Sequence, residues 1–195
     1  MKITKFEKRF VNRKKKADGN IKKVRQRLEH IEIEKINNVL ELGCGVGFVS
    51  NFLSETYSMN IYGTDFDLDQ IELARKIHPE NNKLHFSVED ATNLNFKDSN
   101  FDLVLSQNVF HHIPNWELAV SQIYRVLRPQ GYFIWFDLVF PKVVKKIFQP
   151  LVKNYGLYTF KEIKLVFDRI GFKELFYERL WHGPFGSCHM VLQKI

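Results

Sequence analysis

An acidic residue and three glycines stand at alternate positions in Glu41-Leu42-Gly43-Cys44-Gly45-Val46-Gly47, directly after the apolar pair Val39-Leu40. The pattern reads as a strand, a turn with glycine at every second position, and a helix beginning near Val46. Such a turn brings bare backbone against a ligand at the end of a parallel strand. Side chains at 43 and 45 would block that approach. The free N–H groups of the following helix suit an anionic group, and Glu41 suits a cationic one. A ligand carrying both an amine and a carboxylate fits this turn better than a pyrophosphate does. The spacing E-x-G-x-G-x-G also departs from the dinucleotide fingerprint G-x-G-x-x-G.

A second strand, Asn60-Ile61-Tyr62-Gly63-Thr64, ends at Asp65, 22 residues after Gly43. An acidic side chain at that distance, at the end of the second strand, holds a ribose diol, because carboxylate oxygens accept from both hydroxyls. The run after a fourth strand, Gln107-Asn108-Val109-Phe110-His111-His112, is placed to meet a reacting group at the same sheet end. Histidine titrates near neutrality and can take a proton from a hydroxyl or ammonium. His111 is the candidate base, and His112 is expected to pack structurally. No Cys/His cluster has metal-ligand spacing, so no metal is expected.

Four segments, taken in order, resemble the class I S-adenosylmethionine-dependent methyltransferases of the small-molecule type. They are Val39–Gly47, Tyr62–Phe66, Glu89-Asp90-Ala91, and Phe101–His112 followed by Leu127–Gly131. The resemblance is strong over roughly 37–137 and implies S-adenosyl-L-methionine as cofactor. It implies that Glu41 faces the methionine amine, and that Gly43 and Gly45 line the methionine moiety. Cys44, a small filler of the same loop, and Gly47 are expected among the cofactor-binding residues as well. Asp65 would bind the ribose, with Phe66 beside the adenine. Asp90 and the Ala91 backbone would meet the adenine amino edge. Ser106 and Gln107 would lie near the methionine and the methyl donor. N-terminal helices in this family often cover the cofactor or substrate.

The elements that must position these residues alternate strand and helix from Asn38 onward. This favours an α/β, Rossmann-like, doubly wound fold with helices on both faces. Strands are expected at Leu84–Val88, Phe101–Ser106 and Tyr132–Asp137, and Glu89–Asn100 reads as a loop. Asp67 with Gln70, Asn115, and Thr159 with Glu162 mark helix starts. Gly171 marks a helix end. Phe172–Leu180 and Cys188–Gln193 read as a terminal antiparallel pair. The expected sheet is seven-stranded and mostly parallel, with an antiparallel last strand. Residues 140–158, aromatic, basic and broken by Pro141 and Pro150, read as a lid-like insertion over the active site.

Residues 1–30 hold 12 Lys and Arg against 3 Asp and Glu, so the chain's net +7 arises from an arm of +9 and a remainder of −2. The basic character belongs to a helical arm, residues 1–36, preceding the domain at 37–195. Two apolar stripes, Ile3/Phe6/Phe10 and Ile21/Val24/Leu28, separated by Asp18-Gly19-Asn20, predict two short helices packed on the domain. No run reaches the ~18 apolar residues of a membrane span, and the N-terminus lacks a secretory apolar region. Two cysteines, Cys44 and Cys188, make no disulfide framework. A cytoplasmic location and no membrane partner are therefore expected. The fourth strand is followed by no Asn/Asp-Pro-Pro-aromatic motif, and there is no Pro-Cys nucleophile. A small-molecule acceptor is favoured. An RNA methyltransferase using the basic arm, or a cofactor-binding module without turnover, are the alternatives.

Overall fold

In a computed structural model of the chain, which describes residues 12–152, 155–182 and 185–195, seven strands build one sheet. They are β1 (Asn38–Leu42), β2 (Asn60–Asp65), β3 (Leu84–Val88), β4 (Phe101–Gln107), β5 (Leu127–Val139), β6 (Phe172–His182) and β7 (Phe185–Lys194). The order is β3-β2-β1-β4-β5-β7-β6. Pairing is parallel from β3 to β5, and β7 runs antiparallel to both β5 and β6. The helices are α1 (Lys14–Leu28), α2 (Phe48–Tyr57), α3 (Leu68–Ile77), α4 (Trp116–Val126), α5 (Lys142–Phe148) and α6 (Phe160–Ile170).

Strand residues alternate between two apolar layers, as the two-residue period requires. Leu40, Leu42, Val104, Phe133 and Trp135 pack with α4 and α6 through Ala119, Ile123, Ile163 and Phe167. Val39, Leu103, Leu105, Ile134 and Phe136 pack on the other face with α1, α2 and α3 through Val24, Leu28, Leu53 and Ile71. Because β1 has β2 on one side and β4 on the other, the chain reverses its winding there. A crevice at the carboxyl ends of β1 and β4 is the consequence.

Several local expectations change. Asp18-Gly19-Asn20 does not break the arm, and α1 runs through it. A Cβ at Gly19 would meet nothing within 4 Å, so the glycine is only a propensity loss of ~1 kcal/mol. Burial of Ala17, Val24 and Leu28 outweighs it. The Ile3/Phe6/Phe10 stripe lies outside the described residues. Asn115 occupies the N-cap position of α4 without a side-chain cap bond. Asp67 caps α3 by accepting from the Asp69 N–H at 3.1 Å. Gln70 does not reciprocate, and its side chain instead accepts from Asn12 Nδ2 at 3.1 Å. Thr159 and Glu162 form the full reciprocal box on α6, which ends at Gly171. Strand β5 starts earlier than expected, but its register jumps from Phe101↔Leu127 to Leu103↔Tyr132. The Pro129-Gln130-Gly131 segment is bulged out there, with Gln130 at φ 64°.

Candidate active site

The three loop glycines all adopt left-handed backbone, with φ 68°, 55° and 79° at Gly43, Gly45 and Gly47. Their surroundings differ. A Cβ at Gly43 would fall 2.2 Å from Val109 Cγ2, so this glycine lets the segment after β4 close against the turn. A Cβ at Gly47 would fall 2.5 Å from the Phe86 ring. Gly47, expected among the cofactor-binding residues, instead serves packing of α2 against β3 and lies off the cavity wall described below. A Cβ at Gly45 would meet only Asn12 Oδ1, at 4.0 Å. Gly45 alone of the three opens into space that a ligand can fill.

That space is a cavity of about 340 Å³ at the carboxyl ends of β1, β2 and β4. Its wall contains Glu41, Gly43, Cys44, Gly45, Asp65, Phe66, Asp90, Ala91 and Gln107. Asn12, Lys16, Ala17 and Asn20 bring the start of α1 over it. The other end is formed by Val109, His112, Ile113, Pro114 and Asn115.

Glu41 is buried and accepts a 2.5 Å hydrogen bond from the Ser50 hydroxyl of α2. Burial pushes its carboxyl up to about 7, against the lowering effect of the Ser50 bond. Ser50 was not visible as a site residue in the sequence. Its signal was its position in the first turn of the helix after the glycine loop. Asp65 accepts from the Gly45 N–H at 3.0 Å and the Asp67 N–H at 2.9 Å, tying the glycine turn to the end of β2. Carboxylate oxygens accept more than one bond each, so this tie and a ribose contact are compatible. Phe66 is 47% exposed, a large apolar ring left open on the cavity wall. Asp90 accepts from both the N–H and the hydroxyl of Thr92, at 2.8 and 2.7 Å. Burial raises the Cys44 thiol, helped by Glu41 and Asp65. That keeps the thiol protonated and rules against a nucleophilic role.

Gln107 is buried on the cavity wall, and neither its amide nitrogen nor its amide oxygen has a protein partner. Buried amides are normally satisfied, so this one is set to meet a ligand. Ser106 is fully buried in β4 between its register partners Leu42 and Trp135, off the cavity wall.

The two histidines exchange the places expected of them. His111 Nδ1 lies 2.5 Å from Oδ1 of the buried Asp137, and the ring is not on the cavity wall. Asp137, at the end of β5, also accepts from the N–H groups of Phe110 and Leu138, each at 2.6 Å. This three-point hold draws His111 toward β5. His112 lines the cavity instead, with Tyr155 behind it at 5.7 Å between ring centroids. Among the described residues no cluster of three or more His, Cys, Asp or Glu could hold a metal ion.

A family model described as a methyltransferase domain matches residues 40–135, the span holding this cavity's strands. Over 100 residues the chain is 39% identical to the fatty-acid O-methyltransferase of Mycolicibacterium smegmatis, a match covering 51% of this chain and 36% of that enzyme. Over 99 residues it is 32% identical to the 2-methyl-6-phytyl-1,4-hydroquinone methyltransferase of Synechocystis, covering 51% of this chain and 31% of that enzyme. The match therefore spans about a third of the length of these relatives. A crystal structure of a protein from Pyrococcus horikoshii superposes with a TM-score of 0.74 at 24% identity, covering 95% of this chain and 93% of that one. Residues 40–135 form a methyltransferase domain of the class I, S-adenosylmethionine-dependent type. As in the rest of the family, the cofactor is S-adenosylmethionine. The residues present fit it. Gly45 offers a cradle that a Cβ would fill, and the unpartnered amide of Gln107 offers a donor and an acceptor on the same wall.

Proposed function

We propose that this methyltransferase transfers a methyl group to a small organic acceptor that enters at the Val109–Asn115 end of the cavity. The observation that carries the reading is the continuity of one wall. It runs from the acid Glu41 and the open turn at Gly45, past Asp65 and Gln107, to an apolar end at Val109, Ile113 and Pro114. Glu41 would hold the ammonium of the cofactor, Asp65 its ribose, and Asp90 with Ala91 its adenine edge. When bound, the cofactor supplies an electrophilic methyl group on a sulfonium. The chain's part is alignment, which can supply ~7–11 kcal/mol of a barrier. His112, at the acceptor end, would take a proton from a hydroxyl or ammonium acceptor. His111, held by Asp137, would position the turn that carries His112. The relatives named above act on a fatty acid and on a phytyl-substituted hydroquinone. An acceptor with an apolar tail fits the apolar end of this cavity.

The test is incubation with methyl-labelled cofactor and a cell extract fractionated into small organic compounds, RNA and protein. Label in the organic fraction supports the proposal. Label in RNA favours the second reading, which rests on the exposed Lys14, Lys15, Lys22 and Arg25 of α1 and Arg13 just before it. Tight cofactor binding with no labelled product in any fraction favours a binding module.

A further inference from the structure

The segment following β5 leaves its apolar side chains in water. No residue of α5 is buried. Val143 is 68% exposed, Ile147 57%, Phe148 47%, and Leu151, one turn further on, 75%. Val143 and Ile147 stand four residues apart, on one side of a helix, and Leu151 continues the same spacing. Lys142 and Lys146, also four apart and both exposed, run beside them. From Phe140 to Val152 there are three lysines and no acidic residue. The third, Lys145, points inward and pairs with Glu162 at 2.7 Å, which pins the inner side of α5 to the start of α6.

The helix is held at the same end of the sheet as the cavity. The Phe140 N–H donates to the Tyr158 carbonyl, and the Gly156 N–H donates to the His111 carbonyl, both at 3.0 Å. The basic start of α1, with Lys14 and Lys15 exposed, borders that cavity through Asn12, Lys16 and Asn20.

Four large apolar side chains grouped on a short element mark an interaction site. The flanking charge selects the occupant. In a symmetric dimer through this face, the lysines of two copies would be brought close together, with no acid in the segment to offset them. RNA would use the lysines and leave the apolar side chains exposed. An anionic bilayer satisfies both, with apolar side chains at the acyl boundary and lysines at the headgroups. We propose that α5 and the turn after it lie on the surface of an anionic lipid bilayer, with the cavity end of the sheet turned toward the membrane. The expectation of no membrane partner rested on the lack of a spanning segment. An element lying in the interface needs none. The docking does not depend on the transfer reaction.

The experiment is co-sedimentation of the full chain with vesicles of phosphatidylcholine alone or mixed with phosphatidylglycerol, at low and raised salt. Three proteins are compared: the parent, Ile147→Glu/Leu151→Glu and Lys142→Gln/Lys146→Gln. All four substituted positions are exposed, so thermal melting and S-adenosylhomocysteine binding should match the parent. The expected result is salt-sensitive binding to the phosphatidylglycerol vesicles only. The lysine variant should bind ~30-fold more weakly, from about one factor of the surface attraction per lysine. The glutamate variant should lose binding. Absence of vesicle binding by the parent at low salt overturns the proposal. So does unchanged binding by both variants, which would assign the interaction to the N-terminal arm. A parent dimer in sedimentation velocity that the glutamate variant dissolves would also overturn it, in favour of a second copy.

Discussion

At the scale of single residues, the site divides into groups that shape the cavity and groups that face it. Gly43 and Gly47 shape it, since Cβ atoms there would strike Val109 and Phe86. Gly45 faces it. Gly45→Val should therefore abolish S-adenosylhomocysteine binding in calorimetry while far-ultraviolet circular dichroism stays like the parent's, although its φ of 55° adds some loss of stability. Unchanged affinity would show that the turn is structural only. Asp65 has two duties. Its bonds to the Gly45 and Asp67 N–H groups hold the turn, and the proposed ribose contact would add to them. Asp65→Ala should lower the melting temperature and also weaken the cofactor by roughly 1.5–3 kcal/mol, the range for a hydrogen bond to a charged group. A lower melting temperature with unchanged affinity of the folded protein would remove the ribose assignment.

At the scale of elements, the strands of the sheet and the turn between β1 and α2 were legible because they depend on local pattern. Buried runs such as Phe101–Gln107 have few alternatives in a doubly wound sheet. The Thr159/Glu162 box is a contact within four residues. What could not be read depends on contacts far apart in sequence. Asp137 reaches His111 across 26 residues, and that pull decides which histidine meets the cavity. The helix through Gly19 is decided by Val24 and Leu28 packing on the sheet, which no local propensity records. The same helix carries a prediction. Removing residues 1–20 leaves Val24 and Leu28 but takes Asn12, Lys16, Ala17 and Asn20 from the cavity rim. Cofactor affinity should fall with little salt dependence. If cofactor affinity is kept and a steep, salt-sensitive RNA affinity is lost instead, the arm is a nucleic-acid grip.

At the scale of the whole molecule, two buried groups set opposite pH dependences of folding. Glu41 has its carboxyl raised by burial from 4.5 to about 7. Its favourable contribution is complete below pH 4.5 and is lost as pH rises to about 7, a span worth ~3 kcal/mol. His189 sits on the same sheet face as α1, 3.3 Å from Arg27, which also pairs with Glu178 and covers the Phe176 ring. Burial first, then Lys23 and Arg27, lower its imidazole from 6.5 to about 4. Its contribution is complete above pH 6.5 and is lost as pH falls toward 4. Between pH 4.5 and 6.5 the two slopes oppose, so the ligand-free protein should show a flat stability profile there. Glu41→Gln removes one slope and leaves the histidine's, so urea midpoints of that variant should rise from pH 4.5 to 6.5. A bound ammonium favours the ionised Glu41, so cofactor binding near pH 6 should release a proton. Calorimetry in two buffers of different ionisation enthalpy would detect it in the parent and not in Glu41→Gln. Equal proton release by both proteins would place the ammonium elsewhere, and a parent stability that climbs steeply from pH 4.5 to 6.5 would show that Glu41 ionises without penalty.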